Sequence, residues 1–315
     1  MPSFFAYRLP NTQECKAFEL TASRSTSDLS IVSFEGRAQH FSFNKEIELN
    51  DVLTVLQKTE LKSTSKEDYE KGFNKFLGQL KESELDKIVL SKLKLVEGNF
   101  HPISILNQLN FFYSNTFNYL LVDSELGCWI GATPETLGTY ENGVFETMSL
   151  AGTIAEGENW SDKEKEEQQL VTDFIASKLE DYSKQVQYGD TEEIKAGKVR
   201  HLKTVLKATV ANHEEAELLL KAMHPTPATC GLPQNEAKQL ILETESHDRA
   251  LYTGYISIKN AGFINAFVNL RCMQLFKDNA VLYLGGGLTA KSELEREWQE
   301  TERKAQTLLK VLIDK

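Results

Sequence analysis

The chain has 315 residues, 41% of them hydrophobic and 26% charged, values of a globular chain long enough for one large domain or two ordinary ones. Its 46 acidic residues outnumber 35 basic ones for a formal net charge of −11. That excludes a general nucleic-acid or anionic-membrane surface, which draws on Lys and Arg, but leaves room for a few cations gathered around a small anion.

In chain order, the first ten residues lack a basic region followed by a sustained apolar run, so no signal peptide is expected. Phe4, Phe5 and Tyr7, then 31–34, then 40–43 read as short strands between polar turns. From Ser65 the pattern becomes helical: Tyr69, Phe73, Phe76, Leu77 and Leu80 form one apolar stripe. Residues 87–96 read as a strand and 102–112 as a helix. Short strands are predicted over 117–122, 127–131, 136–140 and 144–150, with Asn142-Gly143 as the hairpin turn between the last two. Helices are expected over 161–182 and 235–247, strands between 252 and 284, and a long amphipathic helix over 291–313. No apolar run approaches the roughly 18–20 residues of a membrane span, and a cytoplasmic location is expected by default. Cys15, Cys128, Cys230 and Cys272 are scattered without a CxxC pair and read as reduced structural thiols. Strands and helices mix without regular alternation, which argues for one α+β domain over residues 1–315 and against a doubly wound parallel sheet.

Several residues are candidates for chemistry on their own terms. Lys87 opens an apolar strand; a strand-end lysine whose stem snorkels to solvent is the plain alternative to a working amine. Glu164 and Glu167, like Glu297 and Glu300, are spaced to share a helix face, either as solvated charge or as oxygen ligands suited to Mg²⁺. Arg271 lies in an apolar strand and needs a partner, either a structural ion pair or a substrate carboxylate held bidentately. Gly285, Gly286 and Gly287 allow backbone N–H groups close to an anion, though without GxGxxG spacing. The six histidines show no zinc-ligand spacing.

Seven motifs follow one another: Asp86-Lys87-Ile88-Val89-Leu90-Ser91-Lys92, Thr133-Pro134-Glu135, Leu150-Ala151-Gly152-Thr153, His224-Pro225-Thr226-Pro227-Ala228, Leu270-Arg271-Cys272, Gly285-Gly286-Gly287 and Glu297-Trp298-Gln299-Glu300-Thr301. In this order they resemble the chorismate-utilising enzymes, the family of isochorismate, salicylate, anthranilate and aminodeoxychorismate synthases. The resemblance is strong over residues 85–315 and weak over 1–80. It implies two large β-sheets packed face to face with helices outside.

The resemblance also implies roles. Lys87 would activate water, where anthranilate synthases usually have glutamine. Glu135 would be the general acid for the departing C4 hydroxyl, with Thr133 replacing the usual serine. Ala151 stands where aminodeoxychorismate synthases carry a nucleophilic lysine, so water is the expected nucleophile. Gly152 and Thr153 would line the substrate. Glu167 and Glu300 would ligate Mg²⁺, with Glu164 and Glu297 behind them; Gln168 replaces a usual histidine. Arg271 would take a substrate carboxylate, with Gly285, Gly286 and Gly287 nearby in place of the commoner Gly-Ala-Gly. Thr226 and Tyr252 are expected substrate contacts, and His224 either touches substrate or orders its loop. The implied activity is conversion of chorismate to isochorismate without an ammonia-supplying glutamine amidotransferase subunit. A salicylate synthase, or a chorismate-binding partner subunit without activity, is the alternative.

Overall fold

The computed structural model describes residues 3–23, 27–49, 56–196 and 199–313. Four short strands come first: β1 (Phe4–Arg8), β2 (Lys16–Ala22), β3 (Leu29–Val32) and β4 (Ala38–Glu46). They are followed by α1 (Lys66–Glu82), β5 (Lys87–Glu97), α2 (Pro102–Phe112), β6 (Phe117–Asp123), β7 (Gly127–Thr133), β8 (Thr136–Glu141) and β9 (Val144–Ala155). Next come α3 (Asp162–Glu180), β10 (Val186–Tyr188), β11 (Glu192–Ala196), β12 (Val199–Thr209) and α4 (His213–Met223). The last elements are β13 (Gly231–Leu232), α5 (Gln234–Thr244), β14 (Tyr255–Lys259), β15 (Phe263–Val268), β16 (Cys272–Leu275), β17 (Asn279–Leu288) and α6 (Leu294–Ile313).

The described strand pairings are all antiparallel, and they join the strands into one 17-stranded network. From neighbour to neighbour the order is β12, β9, β8, β15, β14, β3, β4, β2, β1, β6, β7, β16, β17, β5 and β13. β10 and β11 both lie along the other edge of β12. The facing sheets expected from the resemblance are present as two halves of this network, hydrogen-bonded to each other through β4, β2 and β1. Between the halves lies an aromatic-rich core of Phe5, Tyr119, Trp129, Ile256 and Tyr283. The Phe117 ring on β6 stacks on Phe267 of β15 with centroids 4.2 Å apart.

Helices cover the outer faces. α2 and α6 lay Leu106, Leu109 and Leu308 on Leu120, Ile130 and Leu282. α3 and α4 lay Val171, Leu179 and Leu219 on Phe145, Leu206 and Ile264. α1 follows its predicted stripe: Tyr69, Phe73, Phe76 and Leu80 are buried against Ile88 and Leu90 of β5, beside Ile241 of α5. Ser65 caps α1, its side chain accepting from Asp68 N at 3.0 Å. The hairpin at Asn142-Gly143 is realised with positive φ at both positions. β12 and α4 occupy a stretch for which the sequence reading assigned no element. All four cysteines are free, and no described helix is long and apolar enough to cross a membrane.

Candidate active site

Lys87 sits at the first position of β5, where the strand is anchored from both sides by β13 and β17. Its side chain is only 16% exposed, and Nζ lies 3.0 Å from Glu167 Oε1 of α3. The stem crosses Gly287: a Cβ added there would stand 2.8 Å from Lys87 Cε, so a larger residue would displace the amine. The alternative of a lysine snorkelling to solvent is therefore not what the structure places here.

Glu135 follows Pro134 in the short link between β7 and β8. Its carbonyl accepts from Val268 N at 3.0 Å and its N–H reaches Thr133 Oγ1 at 3.3 Å, so the backbone is held on both sides. Burial raises the Glu135 carboxyl to about 7, with Lys87 and Arg271 pulling the other way. A carboxyl poised there keeps its proton near neutrality, as a general acid must. Arg271 is half-buried at the end of β15's connection to β16. Burial lowers its pKa, opposed by Tyr252, Glu135 and Glu300 in turn, and its guanidinium forms no ion pair with a described residue. A half-buried, uncommitted guanidinium of this kind suits an incoming carboxylate.

The four predicted carboxylates come from two helices. Burial would raise Glu300, but Lys304 one turn on, then Arg303 and Arg271, holds it below the ordinary carboxylate range. Lys304 Nζ lies 2.6 Å from Glu300 Oε1 and donates to Gly285 O at 3.0 Å. Glu297 Oε1 accepts from Ser292 Oγ at 2.7 Å, and its Oε2 is directed at the bare face of Gly286, 3.4 Å from where a Cβ would stand. Glu164 caps α3, its side chain accepting from Ser161 N at 3.1 Å. Among the described residues no three acidic, His or Cys side chains are gathered as a ready-made metal cage. The chemistry of the four side chains nevertheless suits an oxygen-preferring ion: all the candidate donor atoms are carboxylate oxygens, two are already held by the ammonium groups of Lys87 and Lys304, and Gly286 keeps space open beside a third.

Gly152 forms a β-bulge. Across β12, His201 pairs with Thr153 and Leu202 with Ala151, which leaves Gly152 unpaired with φ of 65°. A Cβ there would meet Glu164 O at 2.7 Å, so the bulge admits the start of α3. The neighbouring Ala151 faces the apolar core, and its N–H is bound by Gln168 Oε1 at 2.8 Å. Gln168 Nε2 reaches Ser149 Oγ at 2.8 Å and Thr204 Oγ1 at 3.1 Å, tying α3 to β9 and β12. This tie fixes the rotation of α3 that turns Glu167 toward Lys87. Thr153 is part of β9, and its side chain lies outside the described residues.

The other predicted contacts divide. Thr226, with Pro227 and Ala228, lines a small cavity of about 20 Å³ beside Glu135. Tyr252 is buried with its hydroxyl 2.7 Å from where a Cβ on Gly285 would stand, and it is electrostatically coupled to Arg271. His224 takes the loop-ordering role: Nε2 is 2.9 Å from Ser33 O and the ring meets Tyr255 edge-on. Burial pushes it down to about 4, against the Ser33 carbonyl, so it is neutral near pH 7.

A profile of the family described as chorismate binding enzyme matches residues 17–313. The chain belongs to this family. Among the similar chorismate binding enzymes is isochorismate synthase MenF of Haemophilus influenzae, 30% identical over 262 residues, covering 76% of this chain and 59% of that protein. The chain thus spans about three-fifths of the length of such relatives. The fold is that of the menaquinone-specific isochorismate synthase MenF from Escherichia coli, with a TM-score of 0.85 and 19% identity over 98% of this chain and 88% of that one. It is also that of anthranilate synthase component I from Streptococcus pneumoniae, with a TM-score of 0.71 and 20% identity over 94% of this chain and 72% of that one. The architecture therefore does not select the reaction; the side chains in the pocket must.

Two residues of this candidate site escaped the sequence reading. Lys304 is half-buried, and desolvation lowers its pKa against the opposing pull of Glu300. His201 on β12 is half-buried, lowered by burial, and close enough to feel Glu167, Lys304 and Arg271. A signal existed for Lys304, four residues after Glu300 on one helix face. None existed for His201, which reaches the site only through the pairing of β12 with β9.

Proposed function

We propose that the chain is an isochorismate synthase that adds water at C2 of chorismate and expels the C4 hydroxyl. The observation that carries this reading is the pairing of a carboxyl poised at about 7, Glu135, with a mostly buried lysine, Lys87, while the other position for a nucleophilic amine is an alanine turned into the core. Lys87 accepts a proton from the attacking water as the new C–O bond forms at C2. The ring double bonds shift, the C4–O bond breaks, and Glu135 gives its proton to the leaving hydroxyl, which departs as water. One water enters and one leaves, so the product is an isomer of the substrate. Arg271 holds one substrate carboxylate, with Lys304 and the backbone of Gly285–Gly287 close by.

Mg²⁺ would be held by Glu167 and Glu300, with Glu164 and Glu297 behind them, and would supply positive charge against the ring carboxylate. Water as nucleophile calls for no ammonia-supplying partner.

The test is incubation with chorismate and Mg²⁺ in ¹⁸O-water, with products identified by mass and ultraviolet spectrum. Isochorismate carrying one heavy oxygen at C2 is expected. Salicylate with pyruvate would make the chain a salicylate synthase, an aminated ring formed efficiently with ammonium would place it on the anthranilate side, and unchanged chorismate would leave only binding.

A further inference from the structure

Lys92 lies five residues along β5 from Lys87, and its side chain is only 2% exposed. Its Nζ is 2.6 Å from Glu302 Oε1 and 3.2 Å from the centroid of the Trp298 ring, with the Tyr69 ring at 5.8 Å. Tyr69 closes the arrangement from α1, meeting Trp298 edge-on with centroids 5.2 Å apart. Both partners of the ammonium belong to α6, and they are one helical turn apart on the same face. The adjacent face of α6 carries Glu297 and Thr301 against Gly286, and Glu300 with Lys304 toward Gly285.

We propose that Lys92 is a positioning residue for the carboxylates of α6, setting the rotation of that helix against β5 and thereby the placement of Glu297 and Glu300. The proposal rests on the functional reading above, and it concerns a residue that reading does not use. An ammonium is costly to bury, and an apolar side chain of similar length would fill the same space without that cost. What the apolar side chain lacks is direction: a cation over one ring and against one carboxylate defines both distance and angle. A rotation of α6 by roughly 20° would move a side-chain tip at about 5–6 Å radius through about 2 Å. Displacements of that order cost catalysis about a hundredfold.

The brace separates from simple stability because Glu302 has a second cation. Lys94 also pairs with it, so removing the Lys92 charge does not strand the carboxylate. Lys92→Met is therefore expected to melt close to the wild-type temperature. It should nevertheless bind Mg²⁺ at least about fivefold more weakly by titration calorimetry and turn over chorismate at least about tenfold more slowly. Lys92→Arg keeps a cation able to stack on Trp298 and grip Glu302, and should recover both to within about threefold. Wild-type Mg²⁺ affinity in Lys92→Met, or equal loss in the Met and Arg variants, overturns the proposal. If Lys92→Met does not fold, Trp298→Leu decides: weakened Mg²⁺ binding supports the brace and unchanged binding refutes it. Wild-type protein that binds Mg²⁺ but leaves chorismate unchanged refutes the functional reading alone, because the Mg²⁺ titrations still judge Lys92.

Discussion

A general acid must hold its proton at the working pH, and the surroundings of Glu135 suit that role. Among the described residues no hydrogen bond to the Glu135 carboxylate offsets its burial, and Lys87 and Arg271 offset it only in part, so it keeps its proton to about pH 7. Activity limited by this acid should fall as pH rises through that value, and Glu135→Gln should remove turnover together with that limb of the profile. Stability carries the same signature. Between the ordinary carboxylate value and about 7 the native state holds a proton that the unfolded state has lost, so wild-type stability falls as pH rises through this window. Glu135→Gln should lack that fall and gain on the wild type by up to roughly 3 kcal/mol by pH 8, measured as melting curves at pH 5 and 8. For Lys87→Gln, turnover at least about a hundredfold lower is expected with the fold and chorismate binding retained; near-normal turnover would remove Lys87 from the mechanism. Both residues were legible in the sequence because each sits in a distinctive motif. Lys304 was legible only in part, since its place four residues after Glu300 reads as a surface ion pair until β17 is seen to lie against it.

At the scale of elements, the site depends on how two helices are turned. α3 is set by Gln168, whose amide occupies the N–H of Ala151 inside the sheet's outer face. Gln168→Ala should leave that N–H unsatisfied at a cost of about 1–3 kcal/mol and reduce turnover by releasing Glu167, both read from one preparation by melting and assay. Gln168, where the resemblance has a histidine, thus supplies a hydrogen-bonding tie between α3 and the sheet. Glu167→Ala and Glu300→Ala should each raise the Mg²⁺ concentration required for activity, or remove the response; unchanged dependence in both would return these glutamates to the role of ion-pair partners for the two lysines. The stripe on α1 and the turn at Asn142-Gly143 were readable because their signals are local. β12 was not, because Lys203, Lys207 and Thr209 break up an alternation in which, among the described side chains of the strand, only Thr204, Leu206 and Ala208 are buried. Its meaning comes from β9, which is remote in sequence.

Across the whole molecule, one buried cluster joins parts that the sequence scatters. Arg249 pairs with Glu245 at 2.7 Å, both side chains 2% exposed, and donates to Val89 O and Thr229 O. Glu245 in turn accepts from Ser91 N at 2.7 Å. Arg249→Met would strand the carboxylate and should cost about 3–5 kcal/mol at neutral pH. Burial would raise Glu245, but Arg249 holds it below its ordinary value, so this stabilisation is present above the unfolded carboxylate value and is lost as pH falls. The variant's deficit should therefore shrink under acid, which melting temperatures at pH 7 and 4.5 would reveal.

The order of strands in the sheet also governs how the chain comes into being. Val32 has its partner in Tyr255, and Leu93 in Tyr283, so strands made early wait for strands made last. During synthesis β3 and β5 remain open edges, able to pair with any extended segment that drifts by, including the same strand on a neighbouring nascent chain. Acquisition of the native state is then a race between completion of the polypeptide and intermolecular pairing, and its outcome depends on concentration. Diluted from denaturant, the protein should refold slowly, with a recovered yield that drops as the protein concentration is raised.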